Sequence, residues 1–370
     1  MSQVVELMKI LFARRGFSPS GGAEKYLSRL AAALVKAGYE VSLATSVGWP
    51  SDSWNHGALH LIDGTTPWQF SEALVQLKGN LELNCVFSLE RVVGADIYRV
   101  GDGLHKVWLS RLRRHIHWAS SFLRESSSKH RELLKLERSI FTDHSKTKFI
   151  ANSRMVADEI VTHYKVSQER ITVIPNGYDK PLTDSSQWAK TRSKARLDLG
   201  VGSDECLLLF VGSGWKRKGA YRVIQSMKRL SGRRIKLVLA GKGRPNVMSS
   251  PNVSYLGQVQ DVSRLYAAAD IFILPTLYDP FSNACLEASC HGLPVITSAY
   301  NGFSDHIVPG LTGSILNDPT SVEDIAMAII YWEDSLKRKH ARSELAARTE
   351  QWNVRRNMES TLKVITSTLA

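Results

Sequence analysis

The sequence predicts an α/β protein built from two doubly wound domains, each with a parallel sheet covered by helices on both faces. The chain has 370 residues, 43% of them hydrophobic, which suffices for two domains with separate cores. Short apolar runs alternate with segments of helical period, a pattern typical of parallel sheets. The alternation restarts after a polar, turn-rich stretch at 176–186, so we expect one domain at 1–178 and a second at 179–349.

Apolar runs predict strands in both halves of the chain. In the first half the strands are 8–13, 40–45, 84–88, 148–151 and 171–174, with a helix at 22–37. In the second half the strands are 206–212, 235–240, 253–256, 271–275 and 294–297, and helices fit at 220–230, 262–269, 284–291 and 321–332. Two such domains facing each other would place the carboxyl ends of their strands, where ligands bind in open α/β sheets, around one cleft.

The composition gives the chain a strong positive charge. Lys and Arg number 48 against 35 Asp and Glu, a formal net charge of +13, which favours an anionic partner: a nucleic acid, a membrane surface or a phosphate-bearing substrate. The four cysteines (Cys85, Cys206, Cys285 and Cys290) form no C-x-x-C pair, and no His pair has zinc-finger spacing. This pattern argues against a structural metal site, and so few cysteines are typical of a reducing compartment.

The amino terminus predicts a first strand rather than a signal peptide. No charged segment there is followed by a long apolar stretch and a cleavage site. The densest apolar run, CLLLFV at 206–211, has the length of a strand and is far shorter than the ~18 residues of a membrane-spanning helix. We therefore expect a soluble, cytoplasmic protein.

Glycine-rich loops after two of the predicted strands indicate phosphate binding. Gly21 and Gly22 lie where the first helix begins, and bare backbone there lets a phosphate approach N–H groups at the positive end of the helix dipole. The sequence FVGSGWKRKG places Gly212 after a buried strand and then Arg217 and Lys218 before a helix. Cations and N–H donors together suit a diphosphate. The alternatives are a helix-entry loop without a ligand and a solvated basic turn.

Two carboxylates farther along the chain suit a sugar. Asp279 and Glu287 bracket the tight loop Pro-Phe-Ser-Asn and the start of a helix, so one lies at the loop and the other a turn or more into the helix. Carboxylate oxygens accept hydrogen bonds from the vicinal hydroxyls of sugars and riboses. Cys290 and His291, at the end of the same helix, are interpreted as packing residues.

The order of these motifs resembles retaining glycosyltransferases of the GT-B fold, which use nucleotide-sugar donors. Within them it is most similar to the bacterial lipopolysaccharide core glucosyltransferase I group. The resemblance spans nearly the whole chain: the amino-terminal double glycine, FIANSRMVADEIVTHYKVSQERITVIPNGYD (149–179), GSGWKRKG (212–219), YLGQVQDVSRLYAAADIFILPT (255–276) and a region with E-x7-E spacing. In one departure, Asp279 stands where that motif has its first Glu, and its shorter side chain alters the expected contacts with the donor sugar.

The resemblance implies a role for each matching residue. Arg217 and Lys218 would neutralise the donor diphosphate, helped by the Gly22 backbone of the facing domain. Glu287 would hold the nucleotide ribose, while Asp279 and the backbone of 281–283 would contact the donor sugar and the distal phosphate. The implied donor-binding set is Gly21, Gly22, Gly212, Arg217, Lys218, Gly241, Val259, Asp279, Phe281, Ser282, Asn283 and Glu287. Members of this family typically need no metal ion, so we expect no metal and no cofactor. In this fold the C-terminal helix, about 350–370, packs back on the first domain.

An acid in the first half is the candidate on the acceptor side. In ERVVGADIYRVGDGLHKVW (90–108), Asp102 falls where the similar group has an acid facing the acceptor. A carboxylate there can orient the acceptor hydroxyl or stabilise an oxocarbenium-like centre. The alternative is that Asp102 only caps the turn Gly-Asp-Gly; Asp96 and His105 are further candidates. The implied catalytic residues are Asp102, Arg217, Lys218 and Asp279.

The segment 104–148 is the most basic part of the first half, with 11 Lys or Arg against 4 Asp or Glu. Its apolar side chains follow a helical period within an arc of about 140°; they are Trp108, Leu109, Leu112, Ile116, Ala119, Phe122 and Leu123. A basic amphipathic helix of this kind suits the anionic cytoplasmic face of the inner membrane. The alternatives are a helix packed on its own domain with solvated cations, and direct binding of a phosphorylated acceptor.

Together these features predict transfer of a hexose, glucose from a UDP donor, to a saccharide acceptor with retention. The expected acceptor is a lipopolysaccharide core or a related glycolipid. The alternatives are another nucleotide sugar or hexose (N-acetylglucosamine, galactose, mannose or heptose) and an epimerase or phosphorylase on the same fold. The net positive charge is also typical of a nucleic-acid-binding module. However, the sequence has no recognition-helix motif and does not interleave aromatic residues with cations, so we expect no nucleic-acid partner.

Overall fold

The computed structural model describes residues 7–17, 22–46, 48–113, 127–143, 146–179, 185–243, 245 and 250–370. The chain divides into two compact units, Met1–Pro175 with Arg355–Ala370, and Asn176–Val354. Each unit contains one parallel β-sheet with helices, which confirms the predicted α/β class. The first unit ends just before the expected boundary at residue 178, and the second extends to residue 354 rather than 349.

The first unit is a seven-stranded parallel sheet with the order β3-β2-β1-β4-β5-β6-β7. Its strands are β1 (Lys9–Ala13), β2 (Glu40–Ser46), β3 (Ala58–Ile62), β4 (Cys85–Ser88), β5 (Ile97–Val100), β6 (Lys148–Ala151) and β7 (Ile171–Val173). Its helices, up to the end of β7, are α1 (Gly22–Lys36), α2 (Pro67–Asn80), α3 (His105–Arg113), α4 (Ser128–Thr142) and α5 (Arg154–Tyr164). The order reverses between β1 and β4, so the loops that follow these two strands diverge and leave a crevice at their carboxyl ends.

The second unit is a six-stranded parallel sheet with the order β10-β9-β8-β11-β12-β13. Its strands are β8 (Cys206–Val211), β9 (Ile235–Ala240), β10 (Val253–Tyr255), β11 (Ile271–Leu274), β12 (Val295–Ser298) and β13 (Gly313–Leu316). Its helices are α6 (Ser185–Asp198), α7 (Ala220–Arg229), α8 (Ser263–Ala268), α9 (Asn283–Cys290), α10 (Val322–Glu333) and α11 (Ser335–Arg348). Here the order reverses between β8 and β11, which makes the loops after these strands the expected ligand site.

The central strands are buried on both faces, which explains their continuous apolar sequences. In β8, Leu207, Leu208, Leu209 and Phe210 have no exposed surface. The four cysteines are buried and form no disulfide bond. No described helix is long and apolar enough to cross a membrane.

The last helix, α12 (Val354–Leu369), belongs to the first unit from Arg355 onward. Val364 and Ile365 are buried in the same core as Ile10 and Leu30. The Lys148 Nζ at the start of β6 also donates a hydrogen bond to the Ser367 carbonyl oxygen at 2.7 Å. The end of the chain therefore completes the core of the unit that contains its beginning.

Candidate active site

The loop after β8 is shaped by two glycines that admit no side chain. Gly219 has φ +84°, and a Cβ there would lie 2.2 Å from the Pro275 carbonyl oxygen. At Gly212 a Cβ would lie 2.6 Å from Lys218 Cδ, so the lysine side chain runs directly over this glycine. The glycines thus allow the loop after β8 to contact the segment that follows β11, and they allow the Lys218 side chain to lie along this loop.

Hydrogen bonds tie this loop to the segment after β11. The Arg217 carbonyl oxygen accepts from the Leu277 N–H at 2.8 Å and from Thr276 Oγ1 at 3.2 Å. The Arg217 guanidinium donates through Nη1 to the Tyr278 carbonyl oxygen at 2.7 Å. The switch point of the second sheet is therefore a rigid unit made of two loops.

Asp279 joins the two cations at this point. Its Oδ2 lies 3.5 Å from Lys218 Nζ and 3.8 Å from Arg217 Nη1. The side chains of Asp279 and Lys218 are 11% and 15% exposed, and that of Arg217 is 37% exposed. One carboxylate thus faces two cations in a half-buried site, which carries a net positive charge.

Asn301, a residue that the sequence analysis missed, positions the loop around Asp279. It is fully buried, and its Oδ1 accepts from the Ser282 N–H at 3.2 Å and the Phe303 N–H at 3.1 Å. Its Nδ2 donates to Thr297 Oγ1 at 2.9 Å. The only sequence signal is the Asn-Gly pair after a predicted strand, which indicates a turn but not this role.

The second carboxylate of the motif lies on α9. Ser282 caps this helix, accepting from the Cys285 N–H at 3.4 Å, and Asn283 Oδ1 accepts from Asn176 Nδ2 at 2.6 Å. One turn later, Glu287 Oε2 accepts from the Tyr266 hydroxyl at 2.9 Å. This places the two carboxylates as predicted, one at the loop and one inside the helix.

Tyr266 was also missed by the sequence analysis. It is 1% exposed, and burial, followed by the charge of Glu287, raises its pKa well above the ordinary value. Its ring stacks on His291 with centroids 5.1 Å apart. The phenol therefore stays protonated and donates to the carboxylate, while His291 and Cys290 are buried, as expected of packing residues.

The other predicted donor-site residues surround the same loops. At Gly241 a Cβ would lie 2.1 Å from the Gly212 carbonyl oxygen, so glycine lets the loops after β8 and β9 touch. Val259 is half-buried against the core of this unit. Phe281 is 5% exposed and packs edge-on against Phe303 with centroids 5.7 Å apart. Its ring belongs to the core, so only its backbone can contribute to a binding site.

In the first unit, the switch point between β1 and β4 is occupied by an ion cluster that was not predicted. Arg14 pairs with Glu90 at 2.8 Å and with Glu24 at 3.2 Å. Gly22 begins α1, while Gly21 lies outside the described residues. Burial raises the pKa of Glu90, which the charge of Arg14 only partly offsets.

Asp102 lies in the turn that follows β5. Its side chain is 73% exposed, and Oδ2 lies 4.0 Å from Arg91 Nη1. The turn itself is closed by the Gly103 N–H donating to the Val100 carbonyl oxygen at 3.3 Å, with Gly103 at φ +64°. Among the described residues, the Asp102 carboxylate accepts no hydrogen bond from the N–H groups of this turn, which weighs against a purely capping role.

The two further candidates differ from the expectation. Asp96 precedes β5 and so lies at the amino end of the sheet, where it accepts from the Val86 N–H at 2.7 Å and pairs with Lys78 Nζ at 3.3 Å. It joins structural elements, and its assignment as an acceptor-side acid is wrong. His105 begins α3, with Nε2 3.0 Å from His130 Nδ1. Burial, followed by the charge of Arg91, lowers the pKa of His105 to about 4.

The basic segment is described only in part. In α3, Leu109 and Leu112 are buried, and the fully buried Glu137 of α4 accepts from the His105 and Lys106 N–H groups at 2.5 and 3.0 Å. These two leucines of the predicted apolar arc therefore pack on the protein itself. Ile116, Ala119, Phe122 and Leu123 lie outside the described residues.

No group of three or more His, Cys, Asp or Glu side chains in the described part of the chain is arranged to hold a metal ion. Arg217 and Lys218 are the positive charges that the described site offers to an anionic ligand.

Comparison with known proteins identifies related enzymes. Residues 205–334 match the family model of glycosyl transferases group 1, and residues 95–180 match that of Glycosyltransferase Family 4. The lipopolysaccharide glucosyltransferase WaaG of Escherichia coli (strain K12) is 25% identical over 337 residues, which are 86% of this chain and 87% of that protein.

Solved structures share the fold. A crystal structure of WaaG, a glycosyltransferase involved in lipopolysaccharide biosynthesis, superposes with a TM-score of 0.80 at 22% identity, over 96% of this chain and 99% of that one. Anabaena Alr3699/HepE in complex with UDP and glucose gives a TM-score of 0.71 at 19% identity, over 97% and 100% of the two chains.

Proposed function

We propose that the chain, which is a glycosyltransferase of group 1 with the GT-B fold, transfers glucose from UDP-glucose to a saccharide acceptor. The anomeric configuration of the glucose is retained in the proposed reaction. The observation that carries the proposal is the pair of cations, Arg217 and Lys218, beside Asp279 at the switch point of the second sheet. The proposed acceptor is a lipopolysaccharide core or a related glycolipid, because the relative that matches 86% of the chain is named for such a transfer.

Arg217 and Lys218 would stabilise the leaving group. A nucleoside diphosphate gains negative charge as the sugar departs, and fixed cations in a half-buried site stabilise that charge with little reorganisation. In the described structure Asp279 lies 3.5 and 3.8 Å from these cations, beyond ideal hydrogen-bond distance. A phosphate oxygen can therefore replace it as their partner, and Asp279 then accepts from hydroxyls of the donor sugar.

Glu287 would hold the ribose of the nucleotide. Two vicinal hydroxyls can both donate to one carboxylate. The Tyr266 hydroxyl, 2.9 Å from Oε2, fixes the orientation of the carboxylate because its own ring is packed on His291. Tyr266 is thus a positioning residue for the nucleotide.

Asp102 would act on the acceptor. Its carboxylate is mostly exposed at the carboxyl end of β5, where a sugar hydroxyl can donate to it. A carboxylate in that position orients the hydroxyl for attack and stabilises positive charge at the anomeric carbon. The reaction we propose needs no metal ion, because Arg217 and Lys218 supply the positive charge; excess EDTA would then leave the rate unchanged.

The basic segment would hold the enzyme at an anionic membrane surface. Lys106, Arg113, Lys129 and Arg131 are exposed on α3 and α4, and each cation near such a surface contributes about 1 kcal/mol. Replacing Lys106, Lys129 and Arg131 by glutamine should release the protein from phosphatidylglycerol vesicles in a sedimentation assay without lowering its melting temperature. Unchanged sedimentation would refute the membrane contact.

Thermal-shift titration with UDP, ADP, GDP and their glucose conjugates tests the donor. A ligand at 100 times its Kd stabilises the folded protein by about 2.7 kcal/mol, so UDP and UDP-glucose should raise the melting temperature. Glu287→Ala should abolish the shift. Selective stabilisation by ADP or GDP would contradict the UDP donor. A full UDP shift in the Glu287→Ala variant would contradict the assigned site.

A further inference from the structure

The second unit contains a cationic cavity at the end of its sheet that lies opposite the proposed donor site. It has a volume of about 190 Å³ and is lined by Asp270, Gly292, Ser335, Arg338, Lys339 and Arg342. Asp270 directly precedes β11, and Gly292 lies shortly before β12, so the cavity is at the amino ends of the strands. The proposed donor-site residues follow the carboxyl ends of β8 and β11, which makes the two sites distinct.

The charge of the cavity is strongly positive. Its single carboxylate, Asp270, is already paired with Arg192 at 2.6 Å and with Arg196 at 2.9 Å. It also accepts from the Leu207 N–H at 2.8 Å. Among the described residues, none of the three lining cations forms an ion pair within 4.0 Å; they are Arg338, Lys339 and Arg342. Arg338 Nη1 donates to the Trp332 carbonyl oxygen at 2.9 Å. The cavity therefore presents three cations that have no carboxylate within ion-pair distance in the described part of the chain.

Arg342 is held in place by the surrounding residues. Its guanidinium carbon lies 4.5 Å from the centroid of the Trp188 ring, and a Cβ at Gly292 would lie 2.8 Å from its Cγ, so only glycine leaves room for this side chain. Burial, followed by the charge of Arg192, lowers the pKa of Arg342, and the charge of Asp270 offsets this only in part. The fold thus keeps a cation where its charge is unfavourable, and a bound anion would reverse that cost.

We propose that this cavity binds a phosphate group through Arg338, Lys339, Arg342 and the Ser335 hydroxyl. Guanidinium groups donate in a planar fork that matches the oxygens of phosphate, and lysine adds a point charge. The ligand class is a phosphate ion or a phosphate ester, and its source is a soluble phosphate or a lipid headgroup. Because the cavity does not include the donor-site residues, this proposal stands independently of the proposed reaction.

Titration of the full chain with inorganic phosphate tests the proposal. The readout is the melting temperature or the heat of binding, at constant ionic strength with sodium chloride as the balancing salt. Arg342→Gln and Arg338→Gln should each raise the Kd for phosphate about 10-fold, since each removes hydrogen bonds to a charged group. Arg348→Gln removes a cation from the same helix outside the cavity and should leave the Kd unchanged. If Arg342→Gln fails to fold, Arg338→Gln and Lys339→Gln carry the test.

Lys218→Met separates this cavity from the donor site, where phosphate can also bind. Phosphate binding that persists in Lys218→Met and weakens in Arg342→Gln supports the proposal. Binding lost in Lys218→Met, unchanged in Arg342→Gln, or absent from the unaltered protein at tens of millimolar phosphate overturns it. Binding of glucose 6-phosphate and of phosphatidylglycerol vesicles is then compared between the unaltered protein and the Arg342→Gln variant. If the variant loses binding to glucose 6-phosphate, the ligand is a soluble phosphate; if it loses binding to the vesicles, the ligand is a lipid headgroup.

Discussion

Replacing Lys218 by methionine removes one of the two cations assigned to the leaving diphosphate and keeps an unbranched side chain that is only one atom shorter. The ammonium lies 3.5 Å from Asp279 Oδ2, and the side chain is 15% exposed, so it acts in a partly desolvated site. At an effective dielectric constant of about 20, two unit charges at that separation interact by about 5 kcal/mol. If about half a unit charge develops in the transition state, losing Lys218 raises the barrier by about 2 kcal/mol and lowers kcat about 30-fold.

Lys216→Met is the matched control. Lys216 belongs to the same loop and is exposed, and within the described part of the chain it forms no ion pair. Removing a charge that water already screens should change kcat by less than about 3-fold. The two variants have the same net charge, so any difference between them reports position rather than charge.

The assay is release of UDP from UDP-glucose, measured in steady state with saturating donor. The proposed reaction predicts a slow hydrolysis of UDP-glucose without acceptor that passes through the same departure of UDP, so this hydrolysis serves as the assay before the acceptor is identified. Melting curves establish that both variants are folded. A Lys218→Met variant that keeps more than a third of the unaltered kcat would refute this electrostatic role, and so would a Lys216→Met variant that loses as much activity as Lys218→Met.

Three further predictions concern the glycine loop, the carboxylate proposed to bind the ribose, and pH. Gly219→Ala should destabilise the protein by about 3 kcal/mol or more, whereas Gly232→Ala, at the same φ of +84° but with nothing within 4 Å, should cost about 1 kcal/mol; equal melting temperatures would refute the steric argument. Tyr266→Phe should raise the KM for donor about 5- to 10-fold at unchanged kcat, and an unchanged KM would remove its positioning role. Because burial and nearby cations lower the pKa of His105 to about 4, the unfolded state binds more protons between that value and the ordinary pKa of about 6.5. The contribution of His105 to the free energy of unfolding is therefore fully present above pH 6.5. It is lost as the pH falls toward 4, by about 1–2 kcal/mol after solvent screening. His105→Gln should flatten this fall in pH-dependent melting curves, and an unchanged slope would assign it to other groups.

The continuous apolar sequence of β8 made that strand predictable, whereas β5 and β13 were not predicted. β8 reads CLLLFV, and the expected strand at 206–212 matches it. β5 was missed because it contains Arg99, whose guanidinium is buried over the Tyr26 ring at 4.2 Å. β13 begins with Gly313, where a Cβ would lie 2.1 Å from the Val295 carbonyl oxygen. In both strands tertiary contacts supply the reason for the residue, and local sequence does not contain them.

The same limit applies to the site. Arg217, Lys218 and Asp279 lie in loops adjacent to strands that the sequence shows clearly, so strand-end reasoning could bring them together. Asn301 and Tyr266 position these loops from elements far along the chain, and no spacing rule links them to the residues they hold.

Asp96 shows the converse error. Because the sequence did not predict β5, it could not show that Asp96 precedes this strand while Asp102 follows it. The two residues therefore lie at opposite ends of the strand, and only the carboxyl end is the expected ligand site.

The two sheets share a strand order but differ in the charge at their switch points. In the second unit two cations, Arg217 and Lys218, face one carboxylate, whereas in the first unit one cation, Arg14, lies between Glu24 and Glu90. A crevice with net positive charge suits a diphosphate, and one with net negative charge repels it while still accepting hydrogen bonds from hydroxyl groups. This asymmetry favours an anionic donor on the second unit and a saccharide on the first. Arg14→Gln would then weaken acceptor use and leave the UDP-induced thermal shift unchanged, whereas loss of that shift would place the nucleotide on the first unit.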